Sequence, residues 1–221
     1  MGDLRHTRHI RGSTSAPKRP NSNQLPNLMD QLNIAPTTAF VRSSSSTLSA
    51  IQELDDSEYI VLFTPAIIPP KASQSSTQAT TSTPSPVDPF EAFGRALASR
   101  HRRIRHVPYL PSQGFTTTHD GFIPGAGAIV ILIWGPTADT NTTFLTATAS
   151  QRAFIDAVAA RARPRSKSGT PVVLFITGTS KPNLIERDLA DKFKPFDTII
   201  HSQLYNQVTL HQTVDLIYQM S

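Results

Sequence analysis

The apolar residues of this chain are gathered into short unbroken runs. The most marked is Ala128–Gly135, AIVILIWG, which is of strand length, is dominated by β-branched and aliphatic residues and shows no alternation. A run of that kind has no face for water, so it predicts a central strand with both sheet faces covered. Gly125 and Gly127 punctuate its start, and Gly135-Pro136 its end. Tyr59–Thr64 (YIVLFT), Ile104–Tyr109, Pro171–Thr177 (PVVLFIT) and Phe196–His201 read as four further strands. Pro65, Pro69 and Pro70 stop the first of these, and Pro111 the second.

Between the runs the apolar period changes to that of helices. Asp88-Pro89-Phe90-Glu91 is a helix start, with Asp88 as cap, Pro89 in the first turn and Glu91 at N3. Phe90, Phe93 and Leu97 then form one stripe, and Arg100, Arg102 and Arg103 stand where a helix C-terminus favours cations. Thr116–Phe122 predicts one or two helical turns, stopped by Pro124. Phe144–Arg163 contains a helix capped by Thr148 or Ser150, with Phe154, Ile155, Val158, Ala159 and Ala162 on its buried face. Leu184, Ile185, Leu189 and Phe193 outline the next helix. Thr209 with Gln212 opens a last one carrying Leu210, Val214 and Ile217.

Strands alternating with helices through short loops imply parallel pairing by right-handed crossovers. The predicted fold class is α/β: a three-layer αβα sandwich, flavodoxin- or Rossmann-like, on a mostly parallel five-stranded sheet. The expected strand order is 2-1-3-4-5, with Ala128–Gly135 in the middle. The sandwich is expected over residues 52–221, with a low-complexity Ser/Thr/Pro/Gln loop at 71–87. Residues 1–50 carry Arg5, Arg8, Arg11, Lys18 and Arg19, scattered prolines and a Ser43–Ser46 run. They are expected to be a disordered basic arm, because such a segment buries too little surface to offset its chain entropy.

Composition narrows the partners. The 221 residues hold no cysteine, which excludes disulfides and thiolate metal sites and leans towards an intracellular, cytoplasmic protein. No run has the 18 or so apolar residues needed to span a bilayer, so no membrane is expected. The formal net charge is +5. The cluster Arg100–Arg105 offers phosphate contacts, yet no stacking platform or recognisable motif accompanies it, so nucleic acid is not the expected partner. The sequence leaves the oligomeric state open.

Candidate chemistry is sparse. Gly125-Ala126-Gly127 precedes a strand instead of following one, the wrong side for a dinucleotide fingerprint, and no cofactor is expected. Gly178-Thr179-Ser180 follows a strand and resembles an anion cradle, though a plain turn with Ser180 as cap explains it as well. His6 and His9 lie in the arm, and no metal site is expected. His119-Asp120 looks like an acid/base pair, but adjacent residues do not face each other on a helix, so a loop or cap role is expected. Thr64, Trp134, Asp139, Thr177, Ser180 and His201 are the residues expected at the C-terminal strand edge, the default crevice of open α/β sheets.

The order of segments resembles a known domain. Asp55…Tyr59–Pro65, Asp88–Leu97, Ile104–Tyr109 and Gly114–His119 are similar to the C-terminal domain of fungal β-N-acetylglucosaminidase-like members of glycoside hydrolase family 3. Gln151…Phe154–Val158 before Pro171-Val-Val, and Phe196–Ile200 before a closing helix, fit the second half of that domain. Gly121 and Pro124–Gly127 depart from the continuous helix expected there. In that family a preceding (β/α)8 barrel, roughly 250 residues long, carries the chemistry. The resemblance implies an aspartate nucleophile and an Asp–His pair on the barrel, with a Lys-His-Phe-Pro-Gly-His-Gly-like signature that this sequence lacks. No catalytic residue is therefore carried over, and no binding residue is assigned. Fungal members are often fused to an acetyltransferase-like domain, which is also not found here. The implied function is an accessory domain of carbohydrate metabolism, inactive alone, with a (β/α)8 catalytic barrel as partner in cis or trans. The alternatives are a free-standing α/β module for a small ligand or protein partner, and an enzyme with an unrecognised site at the strand edge.

Overall fold

The computed structural model describes residues 38–66, 88–135, 148–162, 169–178 and 193–219, all within one compact unit, Thr37–Ser221. The strands are β1 (Thr38–Arg42), β2 (Tyr59–Pro65), β3 (Ile104–Tyr109), β4 (Ala126–Trp134), β5 (Val172–Thr177) and β6 (Thr198–Ser202). The helices are α1 (Ser45–Gln52), α2 (Glu91–Ala98), α3 (Thr117–Phe122), α4 (Ala149–Ala162) and α5 (Gln207–Tyr218). The sheet runs β1-β6-β5-β4-β2-β3, with every pair parallel except β1–β6. From β3 to β6 this is the expected 2-1-3-4-5 order.

β4 is central, and every residue from Ala128 to Trp134 is buried. Its odd positions, Ile129, Ile131 and Ile133, pack with Phe154, Ile155 and Val158 of α4. Its even positions, Ala128, Val130 and Leu132, pack with Phe93 and Leu97 of α2 and Leu210, Val214 and Ile217 of α5. The side-chain period of two thus sends alternate residues into two separate cores. At the entry to β4 the glycines serve packing. A Cβ on Gly127 would lie 2.7 Å from Leu54 Cδ2, and one on Gly125 would lie 2.6 Å from the Tyr59 hydroxyl.

Three boundaries differ from expectation. Residues 38–52, assigned to the arm apart from its last two, form β1 and α1. β1 pairs antiparallel with β6, and Thr38 Oγ1 donates to Ser202 Oγ at 3.1 Å. Arg42 Nη1 donates to the carbonyls of Phe196 and Phe193 at 2.8 and 3.3 Å, and Ile51 is buried under α5. The signal is weak in sequence because only Thr38 of β1 is fully buried, so the strand carries little apolar patterning. Second, α2 ends at Ala98, so the arginines lie in the turn before β3 and not in the last helical turn. It also starts later than expected: its N-cap is Phe90, with no side-chain cap, so Glu91 is the first helical residue and not N3, and Asp88 lies in the preceding turn, where it accepts from the Phe90 N–H at 2.9 Å. Third, α5 is capped by Asn206, which accepts from the Thr209 N–H at 2.9 Å, so Thr209 is N3 and not the cap. The helix expected around Leu184–Leu189 and the loop at 71–87 lie outside the described residues.

Both outer strands are blunted. The N–H and C=O groups of Arg103 and Tyr109 face β2, since their carbonyls accept from Ile60 and Ala66, so those of Ile104, His106 and Pro108 face outward. Pro108 has no N–H to offer, and its carbonyl lies 3.4 Å from His119 Nε2. The other edge, β1, has five residues and an irregular register between Phe40 and Arg42.

A chain beginning at Glu53 is expected to melt about 10 °C or more below one beginning at Thr37, because it loses the buried Ile51 and opens the β6 edge. Equal melting temperatures by circular dichroism would contradict the role assigned to β1 and α1.

Candidate functional site

The place to examine first is the C-terminal end of the sheet between β2 and β4. Chain direction reverses there: β2 leads outward to β3, while β4 leads the other way to β5. Crevices at such switch points are where open α/β sheets bind ligands. Pairing of β2 with β4 ends at Phe63–Ile131. Pro65 is the next residue of β2 directed at β4, and it has no N–H, so the ladder cannot continue.

The parting leaves three backbone groups of β4 without a strand partner, and side chains take them. Gln151, in the first turn of α4, accepts from the Trp134 N–H at 3.0 Å and donates to the Trp134 carbonyl at 2.8 Å. Its amide acts as one residue of the missing strand. Tyr109 donates to the Leu132 carbonyl at 3.1 Å and approaches Gln151 Oε1 at 3.3 Å. The Tyr109 ring stacks on Phe154 with centroids 3.8 Å apart, and burial raises its phenol far above the ordinary range. On the opposite sheet face, Trp134, Phe90 and Tyr205 form a three-ring cluster with centroids 5.4–5.8 Å apart. The described side chains on both faces of the parting thus pack against the end of β4; the connections that follow β2 and β4 lie outside the described residues.

Beside the ring cluster, Thr64 Oγ1 lies 2.7 Å from His106 Nε2, and His106 Nδ1 lies 3.5 Å from Asp88 Oδ2. An Asp–His–hydroxyl chain has the connectivity of a nucleophilic triad. Thr64, however, is wholly buried, so its oxygen meets no substrate in this conformation. Burial lowers the His106 pKa, against the pull of the Asp88 and Glu91 carboxylates. The chain ties the start of α2 to β2 and β3.

The other candidate residues have structural partners. Thr177 Oγ1 donates to the Leu204 carbonyl at 3.2 Å, which also accepts from Ser202 Oγ at 2.8 Å and Thr209 Oγ1 at 2.9 Å. These three hydroxyls fix the turn from β6 into α5. His201 is buried opposite Ala39, and burial pulls its pKa down to about 4. Gly178 has φ +86°, a left-handed turn directly after β5. Asp139, Thr179 and Ser180 lie outside the described residues, as do His6 and His9.

His119 and Asp120 face apart. His119 Nδ1 accepts from the Thr116 N–H at 3.1 Å, closing the first turn of α3, and its ring meets the edge of Phe154 at 5.0 Å. Asp120 takes a bidentate contact from Arg161 at 2.8 and 2.9 Å. The pair makes a cap and an ion pair, as the adjacency argument expects. Members of the arginine cluster also have intramolecular partners. Arg100 pairs with Asp215 at 2.7 Å, Arg103 donates to the Ser57 carbonyl, and Arg105 lies over the Tyr59 ring at 4.9 Å. Among the described residues no three His, Asp or Glu side chains gather as a metal site, and no helix is long and apolar enough to cross a membrane.

Sequence reasoning missed Gln151, Tyr109 and the Asp88–His106 contact. Gln151 left a trace: it lies three and four residues before Phe154 and Ile155, on the buried face of α4. A polar amide in an apolar stripe needs buried partners.

No known family profile matches the chain, and no curated protein sequence does. Solved structures do. A fungal multi-domain family 3 β-N-acetylglucosaminidase, described as containing a GCN5-related glucosamine N-acetyltransferase region, superposes with a TM-score of 0.53 at 16% identity. The match covers 82% of this chain and 16% of that one. A family 3 β-N-acetylglucosaminidase from Paenibacillus sp. str. FPU-7 superposes with a TM-score of 0.50 at 11% identity, covering 96% of this chain and 34% of that one. The αβα fold is therefore one found in glycoside hydrolases of family 3, the family the order of segments resembles. This chain spans a minor part of either enzyme's length.

Two outcomes test this site. Gln151→Ala should cost about 2–4 kcal/mol in denaturant unfolding, because it leaves both Trp134 backbone groups buried and unpaired; a cost below about 0.5 kcal/mol would contradict the strand-mimic role. His201 is depressed in the folded state and ordinary, near 6.5, in the unfolded one, so protons favour unfolding between those values. Stability should hold above about pH 6.5 and fall by up to about 3 kcal/mol towards pH 4. His201→Gln should flatten that decline, and an unchanged slope in the variant would contradict it.

Proposed function

We propose that this chain's αβα domain is an accessory domain of a β-N-acetylglucosaminidase-like glycoside hydrolase of family 3. It has no hydrolytic activity of its own and serves a separate (β/α)8 catalytic domain, in cis or in trans. The reading is supported by the fold shared with two β-N-acetylglucosaminidases of that family. The observation that carries it against a ligand-binding module is the switch point, where Gln151 and Tyr109 satisfy the β4 backbone groups that the parting frees. A domain that uses this point for its own hydrogen bonding has a supporting role rather than a substrate pocket. The absence of cysteine fits work in a reducing compartment inside the cell.

The part-exposed Asp88 and His106 favour the second reading, a free-standing binding module, since they give the strand edge a polar group next to the aromatic cluster. Two measurements separate the readings. The purified chain should not hydrolyse 4-nitrophenyl N-acetyl-β-D-glucosaminide above the buffer rate. It should also bind, saturably by calorimetry, a separately expressed (β/α)8 domain of a family 3 β-N-acetylglucosaminidase. Turnover abolished by a point substitution in this chain, or no heat of binding to the barrel, would overturn the accessory-domain reading.

A further inference from the structure

Two rows of opposite charge stand side by side at the N-terminal ends of β2 and β3. The turn from α1 into β2 carries Glu53, Asp55, Asp56 and Glu58. The entry to β3 carries Arg102, Arg103 and Arg105. All seven residues are exposed. β2 and β3 are paired neighbours, about 4.8 Å apart. Arg103 Nη1 donates to the Ser57 carbonyl, within the acidic turn, so the two rows touch.

Among the described residues none of the seven forms an ion pair. Other charges on the described surface do: Asp215, Asp120, Glu91 and Asp156 each have an arginine partner. Local geometry keeps the two rows from neutralising each other. Asp55 Oδ1 accepts from the Ser57 N–H at 2.7 Å, and Glu58 Oε2 accepts from the Asp55 N–H at 3.0 Å, so these carboxylates turn onto their own backbone. The Arg105 guanidinium lies 4.9 Å from the Tyr59 ring centroid and 5.5 Å from that of Phe122. A guanidinium resting on rings keeps the edge of its N–H fork for a carboxylate.

We infer that this charge couple is a self-association surface: a second copy of the chain docks on it about a two-fold axis, each arginine row against the partner's acidic turn. The pattern of signs selects the occupant. A polyanion such as nucleic acid meets four carboxylates beside the arginines, and a polycation meets three guanidinium groups beside the acids. A second copy turned by a two-fold brings acid to arginine and arginine to acid with the same residues, which is what an isologous contact requires. β3 is the outer strand of the sheet, so two copies meet at this rim without crossing another described strand. Exposed charge pairs set partner and orientation more than affinity, so the dimer is weak and salt-sensitive. It is independent of the accessory-domain reading and of any barrel.

Sedimentation equilibrium of the full chain is the test. The unaltered chain should dimerise reversibly at about 0.1 mM protein in about 0.15 M salt, and dissociate at about 1 M, where the screening length falls to about 3 Å. Glu53→Lys/Asp56→Lys makes the surface mainly basic, and Arg102→Glu/Arg105→Glu makes it mainly acidic. Each variant alone should self-associate at least about tenfold more weakly, because like charges then face each other. Mixed in equal amounts, the two should form a one-to-one dimer, since opposite rows meet again. Misfolding cannot produce that rescue, and circular dichroism identifies the folded variants that count. If a double variant fails to fold, Asp56→Lys and Arg102→Glu enter the same mixing experiment; neither side chain has a hydrogen bond to lose among the described residues. A monomer at every concentration, a dimer indifferent to salt, or a dimer unchanged in both variants would overturn the inference. So would folded variants that stay apart when mixed.

Discussion

The structure depends on covering both faces of β4 at once. Seven consecutive residues from Ala128 to Trp134 are buried, and their side chains alternate between two cores. No single layer can satisfy such a strand, so helices must lie on both faces and the neighbouring strands must be reached by crossovers. The rest follows from that demand. α4 covers one face, α2 and α5 cover the other, and β2 and β5 flank β4 in parallel register. Gly125 and Gly127 let Tyr59, Leu54 and Glu58 approach the strand entry at distances that a Cβ would forbid.

A parallel sheet with central crossovers in both directions must part somewhere, and the parting has a cost. Here Pro65 ends the β2–β4 ladder, and β4 is left with backbone groups that need partners inside a dry core. Many folds of this architecture leave that gap to a ligand. This chain closes it with the Gln151 amide and the Tyr109 hydroxyl, and packs Trp134, Phe90 and Tyr205 against the other face. These contacts make the end of β4 part of the core.

Much of this was legible in the chain. The five apolar runs and their parallel pairing follow from periodicity and loop length; the expected order, with AIVILIWG in the middle, matches the sheet but is not dictated by them. The start of α2 was legible to within two residues because its pattern is local, although the cap is Phe90 and not Asp88. What was not legible depends on distance. β1 is short and half-buried, and it is held by hydrogen bonds from residues about 150 positions away, such as the carbonyls that Arg42 bonds. The α5 cap was read three residues late because Asn206 and Thr209 both have capping side chains, and both are used in one reciprocal box. Of the strand-edge residues, Thr64, Trp134, Thr177 and His201 lie towards the expected end of the sheet, but they are buried parts of the fold, while Asp139 and Ser180 lie outside the described residues. Residue type and strand position do not reveal which polar group already has a partner.

Native-state hydrogen exchange at the Trp134 amide tests the central claim most directly. Among the described residues that N–H has no strand neighbour and is held by Gln151. The account predicts that it exchanges as slowly as the amide of Ile131, through opening of the whole domain. Exchange at the rate of an exposed loop amide would mean that the gap between β2 and β4 is open, and would contradict the account.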